Sequence, residues 1–244
     1  MLLVALTKLL PIYVPGSVEV MREFWQRPYY AFALLVPLAA YYLPRYRRSA
    51  RLSEEGERLL GEGRVFAALE KFEAARPLAK SRVISTYNIG LCRLNLWQLE
   101  EAERELTSLL ERDDLLPEFK GRLYALLAVV AALEGRERQA WERLDEAKAL
   151  RCEGMAAVVV AMAVLACRRR HWEEAQARLK RLEPELLTVP LRGLREALLA
   201  WCEERLTGER RPVDVVAVFG EASPDKLEAA WPELVSFLLE HARK

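Results

Sequence analysis

Between Ser49 and Glu185 apolar residues recur three and four positions apart, the spacing that lays one stripe along an α-helix. The stripes come in pairs, and the pairs repeat. Leu52–Arg82 contains EEGERLLGEGRVFAALEKFEAAR, and Thr86–Asp114 contains YNIGLCRLNLWQLEEAERELTSLLERDD. Gly56 to Gly90, Ala68 to Ala102, Phe72 to Leu106 and Ala75 to Leu109 are each 34 residues apart. A third copy carries Ala128, Gly135, Ala140, Leu144 and Ala147, displaced by 38 from Ala102 to Ala140. A fourth carries Ala163, Trp172, Ala175, Leu179 and Leu182, shifted by 35 from Ala140 to Ala175. After Pro190, LRGLREALLAWCEERLTGERRP reads as a fifth helix with Gly208 as its C-terminal cap. The valine-rich Pro212–Phe219 admits a strand or a short partner helix, and the helix is preferred because no second strand is at hand. Ser223-Pro224-Asp225 then starts a last helix ending near Arg243.

The recurring positions have a packing logic. A small residue in the first helix of each pair, Gly56, Gly90, Ala128 or Ala163, lets the second helix approach closely. A small residue in that second helix faces it, and the larger residue four later fills the space toward the next pair. One such hairpin cannot bury its own apolar face, so several must stack. Ala102 is accordingly expected at a helix contact, and Glu103 in solvent.

This pattern, with Gly56, Leu59, Ala68, Phe72 and Ala75 in the first copy and Tyr87-Asn88-Ile89-Gly90 and Glu100-Glu101-Ala102 in the second, resembles the tetratricopeptide repeat (TPR) family. The resemblance covers somewhat over half the chain. It implies an all-α fold: a TPR-like α-solenoid, a right-handed superhelix of helical hairpins, with four repeats over residues 49–185 and capping helices over 186–244. It also implies an inner face lined by the first helix of each repeat, where partners bind. Counting around those helices places Tyr87, Leu91 and Asn95, Arg122, Val129 and Leu133, and Val164 and Arg168 there as protein-binding positions. The lining is largely apolar and suits an amphipathic helix or hydrophobic peptide. An alternative occupant is the chain's own C-terminal helix or N-terminal segment.

Residues 1–48 differ in composition. Pro28–Pro44, PYYAFALLVPLAAYYLP, has no charged residue, and Trp25, Tyr29, Tyr30, Tyr41, Tyr42 and Tyr46 gather at its ends. That is where rings with a polar tip settle in a bilayer. Seventeen residues rise about 25 Å, slightly short of a hydrocarbon core of roughly 30 Å. The segment is expected to be a single-pass anchor, with Trp25, Arg27, Arg45, Arg47 and Arg48 at the headgroups; an interfacial segment and a helix buried in the fold are the alternatives. Four arginines in Arg45–Arg51 place the C-terminal side in the cytoplasm by the excess of positive charge. The first fourteen residues read as an interfacial segment.

Net charge is +1 (37 Lys+Arg, 36 Asp+Glu), which gives no global attraction to nucleic acid. The four cysteines form no Cys-x-x-Cys and sit in apolar stretches, so they read as core residues; two histidines leave almost nothing for a metal site. No phosphate-binding glycine loop or nucleophile motif occurs, so no cofactor, metal or small-molecule substrate is expected. Arg168-Arg169-Arg170-His171 reads as cations closing a helix C-terminus, with recognition of an acidic partner as the sharper alternative. The expected function is a non-enzymatic adaptor at the cytoplasmic face of a membrane, a layout similar to bacterial membrane-anchored TPR scaffold proteins. The alternatives are a repeat domain on the outer side that helps secretion, or a subunit of a larger complex whose N-terminal segment packs on a neighbour.

Overall fold

The structure is a computed structural model and describes residues 28–78 and 82–242, with side chains from Val36 onward. Regular structure among the described residues is helical, apart from one isolated bridge between Val213 and Ala242. The chain divides into two compact units, residues 1–48 and 49–244. The first helix, α1 (Pro28–Gly61), contains Pro37 and Pro44. Every residue from Val36 to Arg48 on it is exposed.

Residues 49–244 begin with four helical hairpins, an arrangement compatible with an α-solenoid. The end of α1 pairs with α2 (Val65–Ala75), α3 (Val83–Asn95) with α4 (Leu99–Leu110), α5 (Pro117–Leu133) with α6 (Glu137–Ala149), and α7 (Ala156–Arg168) with α8 (Trp172–Arg181). A 3₁₀ turn at Pro184–Leu186 leads to α9 (Val189–Thr207), then α10 (Val215–Phe219), α11 (Pro224–Ala230) and α12 (Pro232–Glu240).

The repeat is written into the backbone of the hairpin turns. Gly63, Trp97, Gly135 and Arg170 all have positive φ, between 56° and 80°. The amides of the residues that follow them, Arg64, Gln98, Arg136 and His171, reach back five residues to the carbonyls of Leu59, Arg93, Ala131 and Ala166 at 2.9 Å. This is a Schellman closure, which satisfies carbonyls that a helix end would otherwise leave bare. Glycine adopts the left-handed conformation without strain, whereas a residue with a Cβ gives up roughly 1 kcal/mol or more there. Two of the four turns carry that cost.

The small-residue contacts hold as the sequence implies. A Cβ built on Gly56 would lie 2.8 Å from the Phe72 ring, and one on Gly90 would lie 2.8 Å from Leu106. Ala128, Ala163, Ala68, Ala102, Ala140 and Ala175 are all fully buried. Glu103 differs from expectation. It is partly covered and takes hydrogen bonds from Arg136, at 2.7 Å, and Gln139 of the next hairpin, because the outer side of α4 is itself a contact between hairpins.

The C-terminal region also differs in one respect. The expected single last helix is two, broken at Trp231 (φ −148°), because Pro232 excludes the preceding residue from helical geometry and lacks an N–H. Residues 215–219 are helical, and the Asp214 carboxylate caps them by accepting the Ala217 N–H at 3.0 Å. Gly193 lets α10 settle onto α9: a Cβ there would stand 2.2 Å from the Ala217 carbonyl oxygen.

Helix propensity and packing oppose each other at these glycines. Gly56→Ala and Gly90→Ala gain up to about 1 kcal/mol of propensity but must displace a packed ring or leucine, which costs about 1–3 kcal/mol. Both are expected to lower stability in urea unfolding. Gly61→Ala, with nothing within 4 Å of the added Cβ, is expected to hold or raise it. Equal stability in all three variants would mean that the hairpins are not packed this closely.

Candidate functional site

The first helices of the hairpins end close to the C-terminal third of the chain. Asn95 is fully buried at the end of α3; its amide donates to the Leu91 carbonyl at 2.9 Å, and its side-chain oxygen accepts from the Thr188 hydroxyl at 2.6 Å. Trp97, in the turn that follows, donates its indole N–H to the Val218 carbonyl at 3.2 Å. Val189, at the start of α9, lies beside the turn at Gly63, and Glu221 accepts the Phe66 N–H at 2.7 Å. Arg168, at the end of α7, donates to the carbonyls of Leu133 and Ala230, the latter at 2.8 Å, and lies over the Trp231 ring at 4.4 Å. One continuous apolar core runs through hairpins and C-terminal helices alike.

The sequence-derived binding positions therefore divide. Asn95, Val129, Leu133 and Val164 are buried and serve the chain's own packing, so in this arrangement no partner reaches their side chains. Tyr87 and Leu91 stay half-buried, Arg122 is exposed, and the Tyr87 ring lies 5.3 Å from Phe119. Burial raises the Tyr87 phenol above its ordinary value, with Arg122 acting in the opposite direction. Tyr87, Leu91 and Arg122 thus stay at least partly accessible, while Asn95, Val129, Leu133 and Val164 are covered. At the other unit, Arg45, Arg47 and Arg48 are exposed, and Arg45 donates to the Tyr41 hydroxyl at 3.0 Å. Trp25 and Arg27 lie outside the described residues, as does the first fourteen-residue segment.

The basic run at the end of α7 does more than close a helix. Arg168 is desolvated, and burial lowers the pKa of its guanidinium, partly offset by Glu233. Arg169 pairs with Glu137. Arg170 has the left-handed backbone and no side-chain partner among the described residues. Beside Arg168 and Arg170 lies a cavity of about 300 Å³ walled by Trp172, Trp201 and Trp231. Neither those tryptophans nor Thr188 is among the binding positions that helical spacing picks out. One signal was present: Trp97 and Arg170 occupy a turn position that two other copies give to glycine.

All four cysteines are reduced and buried, with Cys167 and Cys202 sulfurs 3.8 Å apart. Among the described residues no group of His, Cys, Asp or Glu could hold a metal ion.

Two outcomes follow from this burial. Val129→Glu places a charge in a sealed contact and is expected to unfold the domain, whereas Arg122→Glu should shift the melting temperature by no more than about 1–2 °C. Comparable melting for the two would mean that the inner face is open. Burial also pushes the Cys92 thiol from 9.0 up to about 12. Above pH 9 the unfolded chain loses this proton while the folded chain keeps it, so stability falls as pH rises toward 12, by up to about 1.4 kcal/mol per pH unit. Denaturant unfolding of the parent and Cys92→Ala between pH 8 and 10.5 is expected to give a shallower decline in the variant; parallel curves would refute a buried thiol.

With this geometry in hand, comparison adds no identity: no protein-family model, no curated protein and no solved structure matches the chain.

Proposed function

We propose that the chain is a membrane-tethered, non-enzymatic adaptor in which a TPR-like right-handed superhelix of hairpins is held at the cytoplasmic face by its N-terminal segment. The observation that carries this reading is the stretch from Val36 to Arg48. Val36, Leu38, Tyr41, Tyr42, Leu43 and Tyr46 are all exposed on one helix, with Arg45, Arg47 and Arg48 flanking Tyr46 at the end of that stretch. A contiguous apolar and aromatic surface of this kind marks a membrane or protein contact. Arginines beside it suit anionic headgroups. No helix among the described residues is long and apolar enough to cross a membrane. The proposal therefore rests on residues 1–48 acting together.

The protein partner docks on the accessible positions, around Tyr87, Leu91 and Arg122. An amphipathic helix or apolar peptide with an acidic flank matches those three residues: an apolar strip with one cation at its edge.

Flotation with vesicles of phosphatidylcholine and phosphatidylglycerol tests the tether. The full chain is expected to float with the vesicles. Residues 49–244, which form their own compact unit, should remain in the soluble fraction with cooperative melting. A full chain that fails to float, or that is captured only with a neighbouring subunit, would replace the membrane by a protein neighbour. For the partner surface, Leu91→Glu is expected to abolish capture of the partner cross-linked in native membranes while preserving the melting temperature. Capture that survives would place the interface elsewhere.

A further inference from the structure

We propose that the tryptophan-walled cavity at the end of α7 is a binding site for an organic anion, a carboxylate carried on an aromatic or apolar body. The walls come from three elements: Trp172 opens α8, Trp201 lies in α9, and Trp231 separates α11 from α12. Their rings meet in a chain, with Trp172 to Trp201 at 5.3 Å and Trp201 to Trp231 at 5.7 Å, both tilted near 50°. At about 300 Å³ the space is near the lower end for small-molecule pockets and matches a single-ring acid or one residue of a peptide.

Charge selects the sign of the ligand. Arg168, Arg170 and Arg205 line the cavity against a single carboxylate, Glu233. A cage of aromatic rings alone would suit a quaternary ammonium, but three guanidiniums repel one. Arg168 is committed to backbone carbonyls and to the Trp231 face, so it sets the field rather than grips the ligand. Arg170 and Arg205 have no side-chain partner among the described residues and are free to pair with a carboxylate in bidentate fashion.

Two further observations point the same way. The Trp201 indole N–H and the Arg168 Nε are buried and meet no acceptor among the described residues, although buried donors are nearly always satisfied. Arg170 also holds a left-handed turn position filled by Gly63 and Gly135 in two other hairpins. Trp97, the other exception, gains burial and a hydrogen bond in return. Arg170 gains neither within the chain. Residues kept in such conformations without local return concentrate at ligand sites.

The ligand could be a free aromatic acid or the terminal carboxylate of a partner's peptide, and the test separates them. The full chain in detergent micelles is titrated with phenylacetate, its neutral analogue phenylacetamide, a peptide ending in phenylalanine, and the same peptide amidated. Binding is read by calorimetry and by tryptophan fluorescence. The expected result is quenching by the carboxylates alone, weakened at least tenfold by Arg170→Gly and by Arg205→Ala and further by raised salt. Arg170→Gly should hold or raise the melting temperature, since glycine relieves the turn. Binding of phenylacetate assigns a small acid as the source; binding of the free-ended peptide alone assigns a protein terminus. Equal binding of the neutral analogues, no binding of either carboxylate, or affinity unchanged in both variants would overturn the proposal. None of these outcomes bears on the membrane tether, which involves other residues.

Discussion

Two helices can bring their backbones together only where one of them presents almost no side chain, and residues 49–244 depend on that contact. Gly56 and Gly90 leave room that Phe72 and Leu106 fill to within 2.8 Å of where a Cβ would be. Ala128 and Ala163 do the same work in the next two hairpins and are fully buried. Once the approach is fixed, each hairpin presents its remaining apolar face to the next, and stacking is the only way to cover it. Stacking aligns the ends of α3, α5 and α7, and those aligned ends form the surface on which the C-terminal helices close.

The closing segment explains why the turns between paired helices are not all alike. A Schellman turn needs one left-handed residue, and glycine supplies it at Gly63 and Gly135. At Trp97 the strain is offset by a fully covered indole whose N–H holds α10 through the Val218 carbonyl. Asn95, two residues earlier, fixes the approach to α9 through Thr188. The second hairpin is therefore the principal clasp, and Arg168 provides another at the far side, between the Leu133 and Ala230 carbonyls.

Much of this was legible in the sequence because it rests on short-range regularity. Helix pairs at offsets of 34, 38 and 35 follow from spacing alone, and so do Gly208 as a cap and the burial of the cysteines. What escaped was contact at long sequence separation. Nothing in the periodicity says that Asn95 will meet Thr188 or that Trp231 will lie under Arg168, so spacing alone left both a partner and the chain's own C-terminal helices as occupants of the face lined by the first helices. Glu103 escaped for a related reason: helical spacing separates core from surface, but not surface from a contact between hairpins. The aromatic cavity was hidden too, because Trp172, Trp201 and Trp231 lie in three separate stretches and none is unusual by itself.

The C-terminal helices cover the ends of the first helices of the hairpins. The most direct measurement is a disulfide scan at the clasp, with Asn95→Cys and Thr188→Cys introduced together into the full chain. The two side chains touch at 2.6 Å across 93 residues of sequence. Mild oxidation should give an intramolecular cross-link in nearly all molecules, visible as a faster-migrating monomer without reductant, while the native thiols stay unmodified until the protein is unfolded. Absence of that cross-link, or its formation only between molecules, would mean that Thr188 does not sit on Asn95 and that the ends of the hairpin helices face solvent.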